Sequence, residues 1–357
     1  MNQIPTTGTK RNYTADLLKG VAVICMIQVH ILEQFAREDL YDSALGKVSL
    51  FFGGPFCAPV FMAVMGYFLA STSRSHMYLF KRGIFLFAGG IALNIARSAN
   101  LLIHVIKGEL NLDPYRFIFG ADILTLAGFS IILISALRII FKKNCLLWLL
   151  AALAVSAAGT FLPDFSVQGS SEEYIQAFFW GKIDWSYFPL FPWFAYVLLG
   201  YSFRLVPEKL PKTVQFDLRN YIFSVPLLLV VVVSIPYAAF VSCDLYRKYY
   251  HHGVLFFIWM ILFMTLWVMI TDQADKIAGD SVCLRSIRWI GRNVTVIYVI
   301  QWIIIGNFAT EIYKTQNLPV CIIWFIFILP ASCFLAGIYK KALPLLKPVK
   351  GFFSRRP

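Results

Sequence analysis

Charge is what this sequence has least of. Asp, Glu, Lys and Arg make up 14% of the 357 residues, with 19 acidic side chains and 5 histidines, whereas a soluble domain is about a quarter charged. A chain so poor in charge cannot cover itself with a water-facing surface, which excludes a soluble globular fold. Paired cysteine spacings are missing as well. The 7 cysteines are scattered, and Cys25, Cys57, Cys145, Cys321 and Cys333 lie within or at the ends of apolar runs. That pattern implies neither a disulfide framework nor a zinc motif, and no metal is expected. No repeat of fixed period and no inverted duplication of interrupted helices is visible, which weakens a secondary-transporter reading.

What the chain has in quantity is apolar and aromatic surface: 59% hydrophobic residues, with 33 Phe, 17 Tyr and 9 Trp. Windows of the roughly 17 to 25 residues needed to cross a bilayer fall near 17–36, 50–71, 83–103, 117–140, 145–162, 186–205, 221–241, 253–271, 289–308 and 318–339. The expected fold is therefore all-α, a polytopic membrane bundle of about ten helices. Residues 1–16 read as an N-terminal tail, 17–339 as one transmembrane domain and 340–357 as a basic tail. The first window follows Lys10, Arg11 and Lys19 without a small-residue cleavage site, so it reads as a retained helix rather than a signal peptide.

The formal net charge of +13 would suggest nucleic acid in a soluble protein, but its distribution argues against that. Basic residues concentrate in alternate loops: Lys10 and Arg11; Arg74, Lys81 and Arg82; Arg138, Lys142 and Lys143; Arg204 to Arg219; Lys276, Arg285, Arg288 and Arg292; and the tail from Lys340. By the positive-inside rule these loops and both termini are cytoplasmic. The intervening loops carry Glu33 to Asp42, Glu109 and Asp113, Asp164 to Asp184, Asp244 and Glu311. The expected location is the cytoplasmic membrane.

Polar groups inside the windows are few, and ionisable ones at membrane depth are functional candidates by default. His30 lies thirteen residues beyond Leu17, which at about 1.5 Å per residue puts it about 20 Å along the first helix, in the outer half of the bilayer. Asp122 opens the fourth, inward-running window at a similar depth. A carboxylate beside an imidazole orients it and raises its basicity, so the two form a candidate base and partner. Glu33 and Gln34, one turn beyond His30, are alternative partners. Asn94, Arg97, Thr125, Asn293 and Gln301 are the other buried polar candidates, and prolines at 55, 59, 189, 192, 226, 236 and 330 mark kinks or cavities.

The stretch from Arg11 to Gly20 followed by His30, then Ala58-Pro59-Val-Phe61-Met62-Ala-Val-Met-Gly66, Lys81-Arg82-Gly83-Ile-Phe-Leu-Phe-Ala-Gly89-Gly90, Ala121-Asp122-Ile123-Leu124-Thr125, Pro189-Leu-Phe-Pro192-Trp193 to Gly200, and Ile290-Gly291-Arg292-Asn293 to Tyr298, resemble two groups of multi-pass membrane acyltransferases. One is the heparan-alpha-glucosaminide N-acetyltransferase-like group. The other is the acyltransferase-3 proteins that decorate bacterial surface glycans. Three departures are visible. Lys19 stands where the acyltransferase-3 pattern has Arg; no histidine lies near Tyr41, where the animal lysosomal enzyme places its own; and Gln301 stands where the last motif more often has His.

The resemblance implies transfer of an acyl group, most simply acetyl from acetyl-CoA, to a hydroxyl or amine of a sugar or glycan presented outside: an O- or N-acetyltransferase with His30 as general base and Asp122 as its partner. Asn94, Asn293 or Gln301 would hold the oxyanion. Phosphates of the acyl-CoA would meet the basic inner ends, Lys19, Arg74, Lys81, Arg82, Arg288 and Arg292. Arg97, Trp180, Asp184 and Trp193 would contact the sugar. The partners are then the lipid bilayer, acyl-CoA and a glycan, with no nucleic acid. The rival reading is a proton-coupled transporter or flippase using His30, Arg97 and Asp122. The topology is directly testable: a reporter fused after Lys143 should report the cytoplasm and one within 165–180 the exterior, and the reverse result would remove His30 from the outer half.

Overall fold

The computed structural model describes residues 12–166, 169, 171–206 and 218–343; most of both predicted tails, 1–11 and 344–357, lies outside that set. Each of the ten apolar windows contains a helix. Eight helical spans are long and apolar enough to cross a membrane, or nine when one bent pair is taken as a single span. The remaining window, 186–205, holds helix Leu190–Leu205, sixteen residues long and buried along most of its length.

Helix α1 (Tyr13–Phe35) starts earlier than position 17 because the Asn12 side chain caps it, accepting from the Ala15 N–H. It runs through the middle of the bundle with one face after another buried, from the Asn12 end, called inner below after the expected topology, to the Phe35 end, called outer. A short outer turn, α2 (Glu38–Tyr41), leads to α3 (Ala44–Gly53) and α4 (Ala58–Ala70). The sequence placed one continuous span at 50–71. The structure keeps Ala44–Ala70 as one apolar span but interrupts the helix at 54–57, where Pro55 lacks a helical donor, and the interruption lines space beside α1. Helix α5 (His76–Arg97) returns outward; the predicted window 83–103 is divided at Ser98, which separates it from α6 (Ala99–Ile106) on the outer side.

A further outer turn, α7 (Pro114–Ile118), precedes α8 (Ile123–Phe141), which runs inward, and α9 (Cys145–Phe161) comes back out. The outer segment that follows contains α10 (Glu173–Phe179) and leads into the inward-running α11 (Leu190–Leu205). Helices α12 (Tyr221–Val233) and α13 (Ile235–Ser242) form the bent pair, with a 49° angle at Ser234. A single π-helical turn, Leu245–Tyr249, leads into α14 (Val254–Ala278), then α15 (Val282–Arg292), α16 (Val294–Ile312) and α17 (Leu318–Ala342).

Close packing in lipid relies on small residues, because no hydrophobic drive brings apolar helices together there. At the α4–α11 crossing a side chain on Gly200 would sit 1.8 Å from the Ala63 carbonyl oxygen, and one on Gly66 would sit 2.0 Å from that of Val197. These are the glycines that close two of the motifs quoted above. On the outer side, the loop before α11 is stitched to the loop before α8: the Ala121 N–H donates to the Trp185 carbonyl at 3.0 Å, and the Phe188 N–H donates to the Ala121 carbonyl at 2.8 Å. The end of α1 is tied to the α16–α17 connection in the same way, with the Gln316 N–H on the Phe35 carbonyl at 2.8 Å and the Arg37 N–H on the Gln316 carbonyl at 2.9 Å.

Candidate active site

Beside these ties lies an open cavity of about 520 Å³ walled by α1, the α3–α4 break, the α5–α6 junction, α7, the start of α8, the 184–188 loop, the π-turn and the outer half of α16. His30 lines it from α1, seventeen residues beyond the start of the helix. The His30 Nδ1 lies 3.2 Å from the Gln301 Oε1, and its ring stacks on Trp302 with centroids 4.0 Å apart. The Gln301 Nε2 donates to the Tyr298 carbonyl at 3.2 Å, which aims the amide oxygen at the imidazole. With the amide oxygen facing the ring, the arrangement suits a neutral His30 that donates from Nδ1 to Gln301. Its Nε2 has no hydrogen-bond partner among the described residues.

Asp122 is not the partner of that imidazole. It is the N-cap of α8 in a capping box with Thr125: the Thr125 hydroxyl donates to the Asp122 carbonyl at 2.6 Å, and the Asp122 N–H lies 3.1 Å from that same Oγ1. Its carboxylate accepts from Arg97 at 2.7 Å on Oδ2 and from the Tyr298 hydroxyl at 2.7 Å on Oδ1. Both ionic side chains are nearly enclosed, at 12% and 5% exposure. A charge at this depth is held only when paired, and each charge here satisfies the other. The Arg97 guanidinium also lies over the Trp302 ring, 4.7 Å from its centroid. Arg97, Asp122, Tyr298, Trp302, Gln301 and His30 thus form one connected cluster across α5, α8, α16 and α1.

Among the residues expected to touch substrate, Arg97 and Asp184 line the cavity. Gln301 sits one hydrogen bond behind it. Asn94 is structural: its amide nitrogen donates to the carbonyls of Ile118 at 3.1 Å and Gly120 at 2.8 Å, shaping the approach to Asp122. Asn293 lies at the α15–α16 junction with its amide on the Trp289 carbonyl at 2.8 Å. Trp193 is fully buried and donates to the Tyr250 carbonyl at 2.8 Å, and Trp180 ends α10 outside the cavity wall. Neither asparagine nor either of these tryptophans reaches the cavity.

The inner cations do not form a single group. Lys19 and Arg292 share Asp16, with Nζ at 3.0 Å and Nε at 3.8 Å, and Lys19 lies over Phe68 at 5.6 Å. Arg74 lies over Tyr78 at 5.2 Å, beyond the inner end of α4. Lys81 and Arg82 are exposed on the first turns of α5. Arg288 is buried against Asp275 and the Tyr13 ring, so its charge is already matched. Among the described residues no cluster of His, Cys, Asp and Glu is arranged to hold a metal.

Several wall residues escaped sequence reasoning. Trp302 adjoins a quoted motif, and Tyr298 closes it, but neither was singled out. Arg116 stacks on Trp185 at 4.5 Å, and Tyr246 and Tyr249 come from the π-turn, with Tyr250 at its C-cap. The roof above them is tied by the Tyr174 hydroxyl, which donates to Asp113 at 2.5 Å; that bond and the nearby negative charge push the phenol up to about 12.

With this geometry in place, the comparison with known families is decisive at one level. The model of a family described as an acyltransferase domain matches residues 12–339. The chain belongs to the acyltransferase-3 family. No curated protein and no solved structure matches it. Membership, with the apolar spans, makes the protein a multi-pass membrane acyltransferase, and the cavity brings His30 beside a buried charge network.

The Arg97–Asp122 pair gives a stability prediction. Asp122→Asn strands a guanidinium at membrane depth and should destabilise the protein by about 3–5 kcal/mol, whereas the double variant Asp122→Asn, Arg97→Met should recover much of that loss. Unfolding of the purified protein in detergent measures both. Equal, additive losses would show that the pair does not hold the bundle together.

Proposed function

We propose that this acyltransferase moves an acetyl group from acetyl-CoA to a hydroxyl or amine of a sugar on the outer side of the cytoplasmic membrane, with His30 as general base. The observation that carries the reading is the His30 Nε2, without a hydrogen-bond partner among the described residues, on the wall of the cavity, with Gln301 holding the other ring nitrogen. The acceptor O–H or N–H gives its proton to Nε2 while the oxygen or nitrogen attacks the thioester carbonyl carbon. The tetrahedral intermediate collapses with cleavage of the C–S bond, and the imidazolium returns the proton to the departing CoA thiolate.

Charge develops on the carbonyl oxygen along this path. Arg97 uses one nitrogen on Asp122 and keeps further N–H donors, so it replaces Asn94 and Asn293 as the group that meets the oxyanion. In this account Asp122 acts through Arg97 and Tyr298, as a positioning residue. The donor's phosphates belong at the inner face, toward Lys19, Arg74, Lys81, Arg82 and Arg292, where Lys and Arg offer charge-assisted hydrogen bonds. The acyl-bearing arm then reaches along the bundle toward His30. Glycan acceptors of the kind implied by the sequence resemblance fit the aromatic wall of Trp185, Tyr187, Tyr246 and Tyr250.

His30→Ala should lower turnover by roughly 10²- to 10⁴-fold while acetyl-CoA still binds, the usual weight of general-base catalysis. Gln301→Leu, which removes one hydrogen bond to the ring, should lower it by about tenfold. Release of CoA thiol and formation of acetylated acceptor measure both. Near-normal acetylation by His30→Ala would return the histidine to a packing role and revive the transporter reading, in which substrate crosses without thiol release.

A further inference from the structure

The cavity holds a second carboxylate that the chemistry above does not use. Glu33 lies on α1 three residues beyond His30, so the two share a face and are separated by about 4.5 Å along the axis. The Glu33 Oε1 accepts from the Tyr250 hydroxyl at 3.2 Å, and Oε2 has no hydrogen-bond partner among the described residues. The other charges of the wall are committed: Asp122 to Arg97 and Tyr298, and Arg116 to Asp113 at 3.6 Å and to the Trp185 ring. Asp184 lies at the exposed rim. Glu33 is thus the free acceptor nearest in register to the base.

Resting on the reading of His30 as base, we infer that Glu33 is an acceptor-binding residue that accepts a hydrogen bond from a second hydroxyl of the acceptor, next to the one being acetylated. An acceptor with its nucleophilic oxygen at the His30 Nε2 presents its neighbouring substituent one helical step outward, opposite Oε2. Arg97 and Arg116 line the same space, so a neutral polyol suits it better than a cationic acceptor. The pairing makes the site select vicinal diols over isolated alcohols and fixes which hydroxyl is modified.

The test compares acetylation of trans-1,2-cyclohexanediol and of cyclohexanol by the purified full chain with acetyl-CoA. The wild type should favour the diol. Glu33→Gln keeps an oxygen for Tyr250 but replaces the free oxygen with a donor, and it should cut the diol-to-alcohol ratio of kcat/KM by about tenfold or more, mainly through the KM of the diol. Glu33→Asp, which keeps the carboxylate but withdraws it, should give an intermediate ratio and serves if the glutamine variant does not fold. A ratio equal to that of the wild type in both variants overturns the role of Glu33 while leaving His30 as base. A wild type that acetylates neither alcohol overturns transfer from acetyl-CoA to hydroxyls, and this inference with it.

Discussion

The site depends on one ion pair. Arg97 and Asp122 meet at 2.7 Å in a place where water is scarce, and neither charge is tolerable there without the other. Their meeting joins the outer end of α5 to the first turn of α8. Through the Tyr298 hydroxyl on Asp122 and the Trp302 ring beneath Arg97, it fixes the outer half of α16. Helix α16 in turn supplies Gln301 and Trp302 to the His30 ring. The imidazole on α1 is therefore oriented by a chain of contacts whose electrostatic anchor lies on two other helices.

This arrangement resolves an apparent contradiction between sequence and chemistry. A carboxylate and a histidine at matched depth invite comparison with a hydrolase dyad, in which the acid orients the base directly. Here the acid is already occupied three times over, by a guanidinium, a phenol and its own helix N-terminus. A neutral amide, Gln301, performs the orientation instead. An amide oxygen also favours one tautomer, through a weaker neutral hydrogen bond, and lends no negative charge to an imidazolium.

Much of the fold was legible because a bilayer forces backbone groups into helices and apolar windows of sufficient length can hardly do otherwise. The buried placement of Asp122 and its position at the same end of the bundle as His30 and Asp184 followed from window order. What the sequence could not reveal is which polar groups face one another across helices. Asn94 and Asn293 look alike in composition, yet one braces a loop and the other a helix junction, because rotation about each helix axis is set by packing. Gln301 reads as a departure from its motif and proves to be the partner of the histidine. The tyrosines of the π-turn had no periodicity to announce them, since that segment is too short and irregular to carry one.

The central claim is that Gln301 holds the His30 proton on Nδ1 and leaves Nε2 bare toward the cavity. It is tested most directly by ¹⁵N magnetic resonance of His30 in the full chain at neutral pH, with the signal assigned by its loss in His30→Ala. The account predicts a protonated Nδ1 and an unprotonated Nε2, with the two tautomers mixing in Gln301→Leu. A proton on Nε2 in the wild type, with Nδ1 bare, would contradict it.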